Sequence, residues 1–303
     1  VGVGECATLP DLSCDAMPPN EYERKLRAFC DEYERTGIIN YEAMRPYPSM
    51  LFGIETAVAQ FNAKGSLNFF STPFGRGEEG IPINGLVWMG TFNEMFNRME
   101  EKLKAGYHCV KLKIGAIDFE QELQLIQHIR ASFSRNDVEL RVDANGGFTP
   151  KEALSRIEAL AQYDIHSIEQ PIKQHQWTEM ARLCAETPLP IGLDEELIGV
   201  NDKQKKIELL DTIRPQYIVL KPSLHGGMAG TKEWIQLARA RHIGSWITSA
   251  LESNVGLNAI AQLTAHIYGT NIHHAQGLGT GQLFADNVRM PLKVIDDKLW
   301  ITQ

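Results

Sequence analysis

The sequence predicts an α/β fold: a (β/α)8-type barrel preceded by a region without a repeating pattern, in which "VGVGECATLP" reads as the end of a strand running into a loop. Three observations lead there. Eight short β-rich runs recur along the second part of the chain, from "INGLVWMG" at position 83 to "IHHAQGLG" at 272. Amphipathic segments of helical period separate them. Charged residues recur near the carboxyl ends of successive runs, one strand–helix unit apart. Alternating strand and helix patterns imply a parallel sheet, and eight such units close into a barrel. A doubly wound open sheet is the competing architecture.

The elements follow in order. Residues 20–35 interleave charged and apolar positions and predict a helix. "PSMLFGIETAVAQF" predicts a second, well-buried helix opened by Pro48 and Ser49, since proline suits the first turn. "NFFSTPFGRGEEG" is a Gly-rich loop and marks a boundary at residue 80. Beyond it come the runs "INGLVWMG", "CVKLKIG", "VELRVDANG", "IHSIEQP", "LPIGLDEE", "YIVLKPS", "IGSWITSA" and "IHHAQGLG". Between the second and third, Phe119, Leu123, Ile126, Ile129 and Phe133 fall on one helix face. Glu252 and Ser253 are read as caps of the seventh helix. His273 and His274 sit on the eighth run, where alternation turns one of them inward as a packed histidine. The expected division is 1–80, 81–290 and a C-terminal segment 291–303.

Bulk properties exclude several classes. The 303-residue chain is 43% hydrophobic and 22% charged, ordinary for a globular protein. A net charge of −8 and the lack of any basic run of five or more argue against nucleic acid. No apolar stretch reaches the roughly 20 residues needed to span a bilayer. Five scattered cysteines, none in a Cys-x-x-Cys pair, fit a reducing compartment, and a cytoplasmic location is expected. The chain opens at Val1 without a methionine, so residues are expected upstream, and the lack of a signal peptide carries little weight. A homo-oligomer is compatible with the sequence.

Lys113, Asp143, Glu169, Asp194 and Lys221 lie at or near the carboxyl ends of five consecutive runs, separated by 30, 26, 25 and 27 residues. A barrel gathers such residues into one ring at its C-terminal mouth. A single strand-end aspartate is commonly a helix cap; three acids at consecutive repeats, with lysines on both sides, are not. Three carboxylates in a low-dielectric mouth repel one another. A divalent cation resolves that, and all-oxygen ligation favours magnesium, with manganese second, over zinc. Side chains alternate along a strand, so Lys111 and Lys113 share the inner face. Lys113 is the expected base and Lys111, deeper in the strand, its neighbour; the plainer alternative pairs both with buried acids. Two lysines on opposite sides of a metal suit proton removal alpha to the carboxylate of a small-molecule substrate.

"KLK", "RVDANGG", "IEQP", "LDEE" and "LKPS", in this order and spacing, resemble the enolase superfamily, specifically its muconate lactonizing subgroup. The resemblance covers roughly residues 81–290. It implies a barrel topped by an α+β capping domain, of which residues 1–80 would be part, its N-terminal strands lying upstream. It implies Lys113 for proton transfer, Asp143, Glu169 and Asp194 for magnesium, and Lys221 for the opposite face. "GECATLPDLS", "ITSALESNVGL" and "GLGTG" are similar to the o-succinylbenzoate synthase family. That similarity implies a syn dehydration of a cyclohexadiene carboxylate in menaquinone biosynthesis. Lys113 would remove the alpha proton and return it to the departing hydroxide. Lys221 would hold the enediolate by a cation–π contact. Ser249 and Gly277 would contact substrate, and Asn145 would stand behind the metal ligands, the plainer alternative being a turn residue before Gly146 and Gly147.

Three rivals remain at this stage. An N-acylamino acid (N-succinylamino acid) racemase would use the same lysines. A dipeptide epimerase usually carries Asp-x-Asp at the eighth strand, which "QGLGTG" lacks. A non-catalytic binding protein on the same fold would have little reason to retain all five site residues.

Overall fold

A computed structural model describes residues 1–302. Seven parallel strands form one sheet in chain order: β2 (Gly85–Val87), β3 (Cys109–Lys113), β4 (Glu139–Asp143), β5 (Ser167–Glu169), β6 (Ile191–Leu193), β7 (Tyr217–Leu220) and β8 (Gly244–Ile247). The helices α4 (Phe92–Lys104), α5 (Phe119–Ser132), α6 (Pro150–Leu160), α7 (Trp177–Glu186), α8 (Lys203–Ile213) and α9 (Gly227–Arg239) each follow one strand, and α10 (Asn254–Tyr268) follows β8. The eighth run is not a regular strand. Two isolated parallel bridges, Ile83↔Gln276 and Thr248↔Gly277, join it to both neighbours and close the ring. The Gln276 side chain is part of this seam, accepting from the Ile247 N–H at 2.8 Å.

Local sequence explains the elements. Thr91 and Glu94 form a reciprocal capping box at the start of α4, an arrangement worth about 1 kcal/mol. On α5, Leu123, Ile126 and Ile129 are buried as the spacing predicts. Phe119 and Phe133 pack at its two ends, half-buried against the same core, with Phe133 just past the last turn. Strand residues of one parity, such as Val110, Leu112, Ile168 and Ile218, face the helices and are fully buried. The expectation for the paired histidines is corrected: His273 and His274 are both exposed, because the run pairs with its neighbours only at Gln276 and Gly277.

Residues 1–80 hold α1 (Pro19–Thr36), α2 (Tyr41–Met44) and α3 (Pro48–Asn62), with no strand. Phe29, Met44, Met50, Leu51 and Ile54 form a small separate core there. The C-terminal β9 (Leu292–Ile295) and β10 (Lys298–Ile301) form an antiparallel pair extended by β1 (Ile81–Pro82). No helix among the described residues is long and apolar enough to cross a membrane.

Two carboxylates fasten the N-terminal segment to the barrel. Glu5 accepts from the Ser253 and Gly256 N–H groups, both at 2.8 Å, at the start of α10. Glu55, buried on α3, accepts from the N–H groups of Met228 and Ala229 at the start of α9. A Cβ at Gly227 would fall 2.3 Å from Glu55 Oε2, so glycine there makes room for this contact. Burial pushes the Glu55 carboxyl up to about 7, against the pull of the two N–H groups and Lys232.

The sign of the pH effect follows. Between its ordinary value of 4.5 and about 7, folded Glu55 keeps a proton that the unfolded chain has released. Its contribution to stability is fullest at low pH and is lost as pH rises through 7. Glu55→Gln, which keeps an acceptor without the charge, should therefore gain thermal stability relative to the parent between pH 5 and pH 8, by on the order of 1–3 kcal/mol. Differential scanning fluorimetry at the two pH values checks it; a difference between the proteins that does not change with pH refutes it.

Candidate active site at the barrel mouth

Strand register assembles the site. Lys113 pairs with Asp143 and Asp143 with Glu169 across β3, β4 and β5, so the three side chains stand abreast on the inner face. Asp194 directly follows β6 and Lys221 directly follows β7, continuing the same ring. Lys111 pairs with Arg141 one layer below and reaches upward. Asp143, Glu169 and Asp194 are almost wholly buried, and one carboxylate oxygen from each lies within 4.8 Å of the others.

Ammonium groups answer this charge. Lys111 Nζ donates to both oxygens of Glu169 and lies 2.9 Å from Asp143 Oδ2. Lys113 Nζ donates to Asp143 Oδ2 at 2.6 Å and to Asn145 Oδ1 at 2.7 Å. Lys221 Nζ pairs with Asp194. Burial alone would favour neutral forms throughout. Burial would lower the pKa of Lys111, but Asp143, Glu169 and Asp194 outweigh it and raise it. The same contest, won by Asp194 and Glu195, raises that of Lys221. Asp143 is held well below the usual carboxylate range, its burial overcome by Lys111 and Lys113. Glu169 goes the other way, to about 7, through burial and, after the opposing pull of Lys111, the charges of Asp143 and Asp194. Such carboxylate repulsion is what a metal ion relieves.

The donor set fits a hard divalent cation. Asp143, Glu169 and Asp194 supply oxygen only, from three adjacent strands, and Asp194 Oδ1 is buried without a hydrogen-bond partner.

Above the triad lies a cavity of about 180 Å³. Lys111, Lys113, Lys221, Asn145 and Glu195 form its charged end. Leu9, Leu12, Leu86, Trp88, Met89, Ala250 and Leu251 give it apolar walls, and Asn84, Thr248, Ser249, Gly277, Gly279 and Thr280 complete it. Trp88 presents its ring 5.6 Å from Lys113 Nζ. Leu9 and Leu12 come from the N-terminal segment held by Glu5.

The structure thus brings together Lys111, Lys113, Asp143, Asn145, Glu169, Asp194, Lys221, Ser249 and Gly277. Asn145 is both a turn residue, at φ 43°, and a bridge from Lys113 to Glu195, whose Oε1 accepts from Asn145 Nδ2 at 2.8 Å. Gly277 allows the seam to close, because a Cβ there would lie 2.1 Å from Thr248 Oγ1. One capping role is corrected. Ser253 caps α10. Glu252 instead is buried, accepting from the hydroxyls of Ser223 and Ser249 and from the Ala250 N–H. The loops after β7 and β8 meet on it, and that long-range contact left no local pattern. Sequence reasoning also missed Glu195 and Trp88. Their signals were adjacency to Asp194 and inward parity with Leu86.

The comparisons with known proteins agree with this geometry. A family model described as enolase C-terminal domain-like matches residues 94–302. The o-succinylbenzoate synthase of Desulfotalea psychrophila is 54% identical over 248 residues, 82% of this chain and 66% of that protein. The L-Ala-D/L-Glu epimerase of Bacillus subtilis is 30% identical over 174 residues, 57% of this chain and 46% of that protein. The match therefore spans just under two thirds of the first relative and less than half of the second. The crystal structure of MenC from Desulfotalea psychrophila LSv54 superimposes with a TM-score of 0.84 at 44% identity, covering 99% of this chain and 90% of that one.

Titrating the protein with magnesium chloride should raise Tm, because a ligand that binds only the folded state stabilises it by about 2.7 kcal/mol at one hundred times Kd. Asp194→Asn should lose most of that rise. An equal rise in the parent and the variant would remove Asp194 from the ligand set.

Proposed function

The chain belongs to the enolase C-terminal domain-like family, and within it we propose that the protein catalyses the o-succinylbenzoate synthase reaction. The substrate would be 2-succinyl-6-hydroxy-2,4-cyclohexadiene-1-carboxylate and the products 2-succinylbenzoate and water, a step of menaquinone biosynthesis. The observation that carries this reading is Lys113 and Lys221 on either side of the acidic triad around the ring, in a chain 54% identical to an o-succinylbenzoate synthase.

Asp143, Glu169 and Asp194 would hold a magnesium ion, which when bound supplies positive charge for a substrate carboxylate and for the negative charge that develops on it. Lys113, as the free amine, takes the proton alpha to that carboxylate. The C–H electrons pass into the enediolate. They then expel the ring hydroxyl as hydroxide, and the Lys113 ammonium returns its proton to it. One base thus serves both halves of a syn elimination, and water is the only by-product. Lys221 faces the enediolate as a persistent cation, and the raised pKa of its ammonium suits that role. Asn145 and Asp143 orient Lys113 through the two hydrogen bonds to Nζ. Leu9, Leu12 and Trp88 keep bulk water from the reacting carbons. The five free cysteines fit a reducing compartment, and we place the reaction in the cytoplasm.

The two lysines are then not equivalent. Lys113→Ala should reduce dehydration by at least roughly 10²–10⁴-fold, the worth of a positioned base. Lys221→Arg keeps a cation and should retain a trace of turnover. The same variants distinguish a racemase. Alpha-proton exchange in heavy water would be followed with each enantiomer of an N-succinyl amino acid. Mirror-image, face-selective exchange in the two variants, with negligible dehydration by the parent, would replace the synthase reading by a racemase.

A further inference from the structure

The residue after Glu169 holds an unusual backbone. Gln170 sits at φ 35°, in the left-handed region, although it is not a glycine and a proline follows it. A residue before proline is biased towards extended backbone, so neither Gln170 nor Pro171 favours this conformation. Such a position persists only where its surroundings over-determine it. Here they do. The Gln170 side chain is wholly buried. Its Oε1 accepts from the N–H groups of Asp194 and Glu196, both at 3.2 Å. Its Nε2 donates to the Ile172 carbonyl at 2.9 Å and to Glu196 Oε2 at 3.3 Å. Its backbone N–H donates to the Gly192 carbonyl at 2.9 Å, and its carbonyl accepts from the Gly146 N–H at 2.7 Å. Glu196, equally buried, accepts in turn from the His175 N–H at 2.8 Å.

These contacts reach all three acids of the triad through the main chain. Glu169 is the preceding residue, Gly146 lies in the turn that follows Asp143, and Asp194 gives its own N–H to Oε1. The chemistry asks for an amide. Two N–H donors stand on one side of it, and a carbonyl and a carboxylate on the other. A glutamate would meet the donors but set a second negative charge against Glu196, and an apolar residue would strand the donors. Resting on the magnesium reading above, we propose that Gln170 is a positioning residue that fixes the spacing of Asp143, Glu169 and Asp194 in advance of metal binding. The three acids repel one another, and the lysines that answer them sit on long side chains. Anchoring the strand ends to one buried amide leaves less ordering for the metal to impose, and that gain appears as affinity.

The test measures magnesium binding by calorimetry on the parent, Gln170→Met and Gln170→Ala. Methionine keeps the shape and removes the side-chain hydrogen bonds. Alanine leaves room for water to meet the same groups, and it carries the test if the methionine variant does not fold. Each folded variant should bind magnesium roughly 10–100-fold more weakly, the usual effect of losing a group that orients metal ligands. Turnover should return towards the parent's at saturating magnesium, because Gln170 does not line the cavity. Ile157→Val, a core change on α6 that takes no part in these hydrogen bonds, should lower Tm and leave magnesium affinity unchanged. If folded variants bind magnesium as the parent does, Gln170 is structural only, and the proposal is wrong while the ligand set stands. If neither variant folds, Gln170 holds the barrel rather than the triad, and the proposal is wrong. If the parent itself binds no magnesium, the ligand set fails and the proposal falls with it.

Discussion

Three carboxylates buried within 4.8 Å of one another are the constraint to which the rest of the barrel answers. Ionised carboxylates do not stay in an apolar interior without partners. Here the partners are Lys111, Lys113 and Lys221: Lys113 and Lys221 reach an acid one ring position away, and Lys111 reaches both Asp143 on the next strand and Glu169 on the one beyond. The parallel register supplies the alignment, since Lys113, Asp143 and Glu169 are lateral neighbours. Removing one member of such a cluster strands an opposite charge, which typically costs 3–5 kcal/mol. Stability and chemistry therefore draw on the same side chains, and the surrounding apolar strand residues must be well packed to tolerate them.

The N-terminal segment is tied into this arrangement by its own acids. Glu5 docks at the start of α10 and Glu55 at the start of α9. A carboxylate suits a helix N-terminus because it meets unpaired N–H groups and the positive end of the helix dipole. These two helices follow the strands nearest Ser249 and Lys221. The wall formed by Leu9 and Leu12 is thus held to the elements that carry the site, rather than to the far side of the barrel.

Much of the site was legible because barrels convert sequence interval into position. Lys111 and Lys113 share a face by alternation alone, and the five strand-end charges recur at one-unit spacing. What escaped depends on contacts distant in sequence. Glu252 reads as a helix cap until Ser223 and Ser249 are seen to meet on it. Leu9 and Leu12 carry no pattern that assigns them to a cavity wall. His273 and His274 were misread because alternation was applied to a run that pairs only at Gln276 and Gly277. Asn145 was legible in both of its roles, since the residue that tolerates a left-handed turn also carries an amide.

The closure of the ring has a consequence for how the chain folds. Each strand from β2 to β8 pairs with the next after a single intervening helix, so the sheet can grow outward from any adjacent pair at modest loop-closure cost. The last joint is different. Ile83 and Gln276 are about 190 residues apart, and strand pairing at the eighth position is limited to one isolated bridge on either side. Long-range contacts of this kind are made late, after the chain between them has been ordered. They are also among the first to open in local unfolding, having few hydrogen bonds to lose. Amide exchange along this polypeptide should therefore be fastest, within the ring, at Ile83–Asn84 and Gln276–Gly277, a zipper whose final teeth sit at the rim of the cavity.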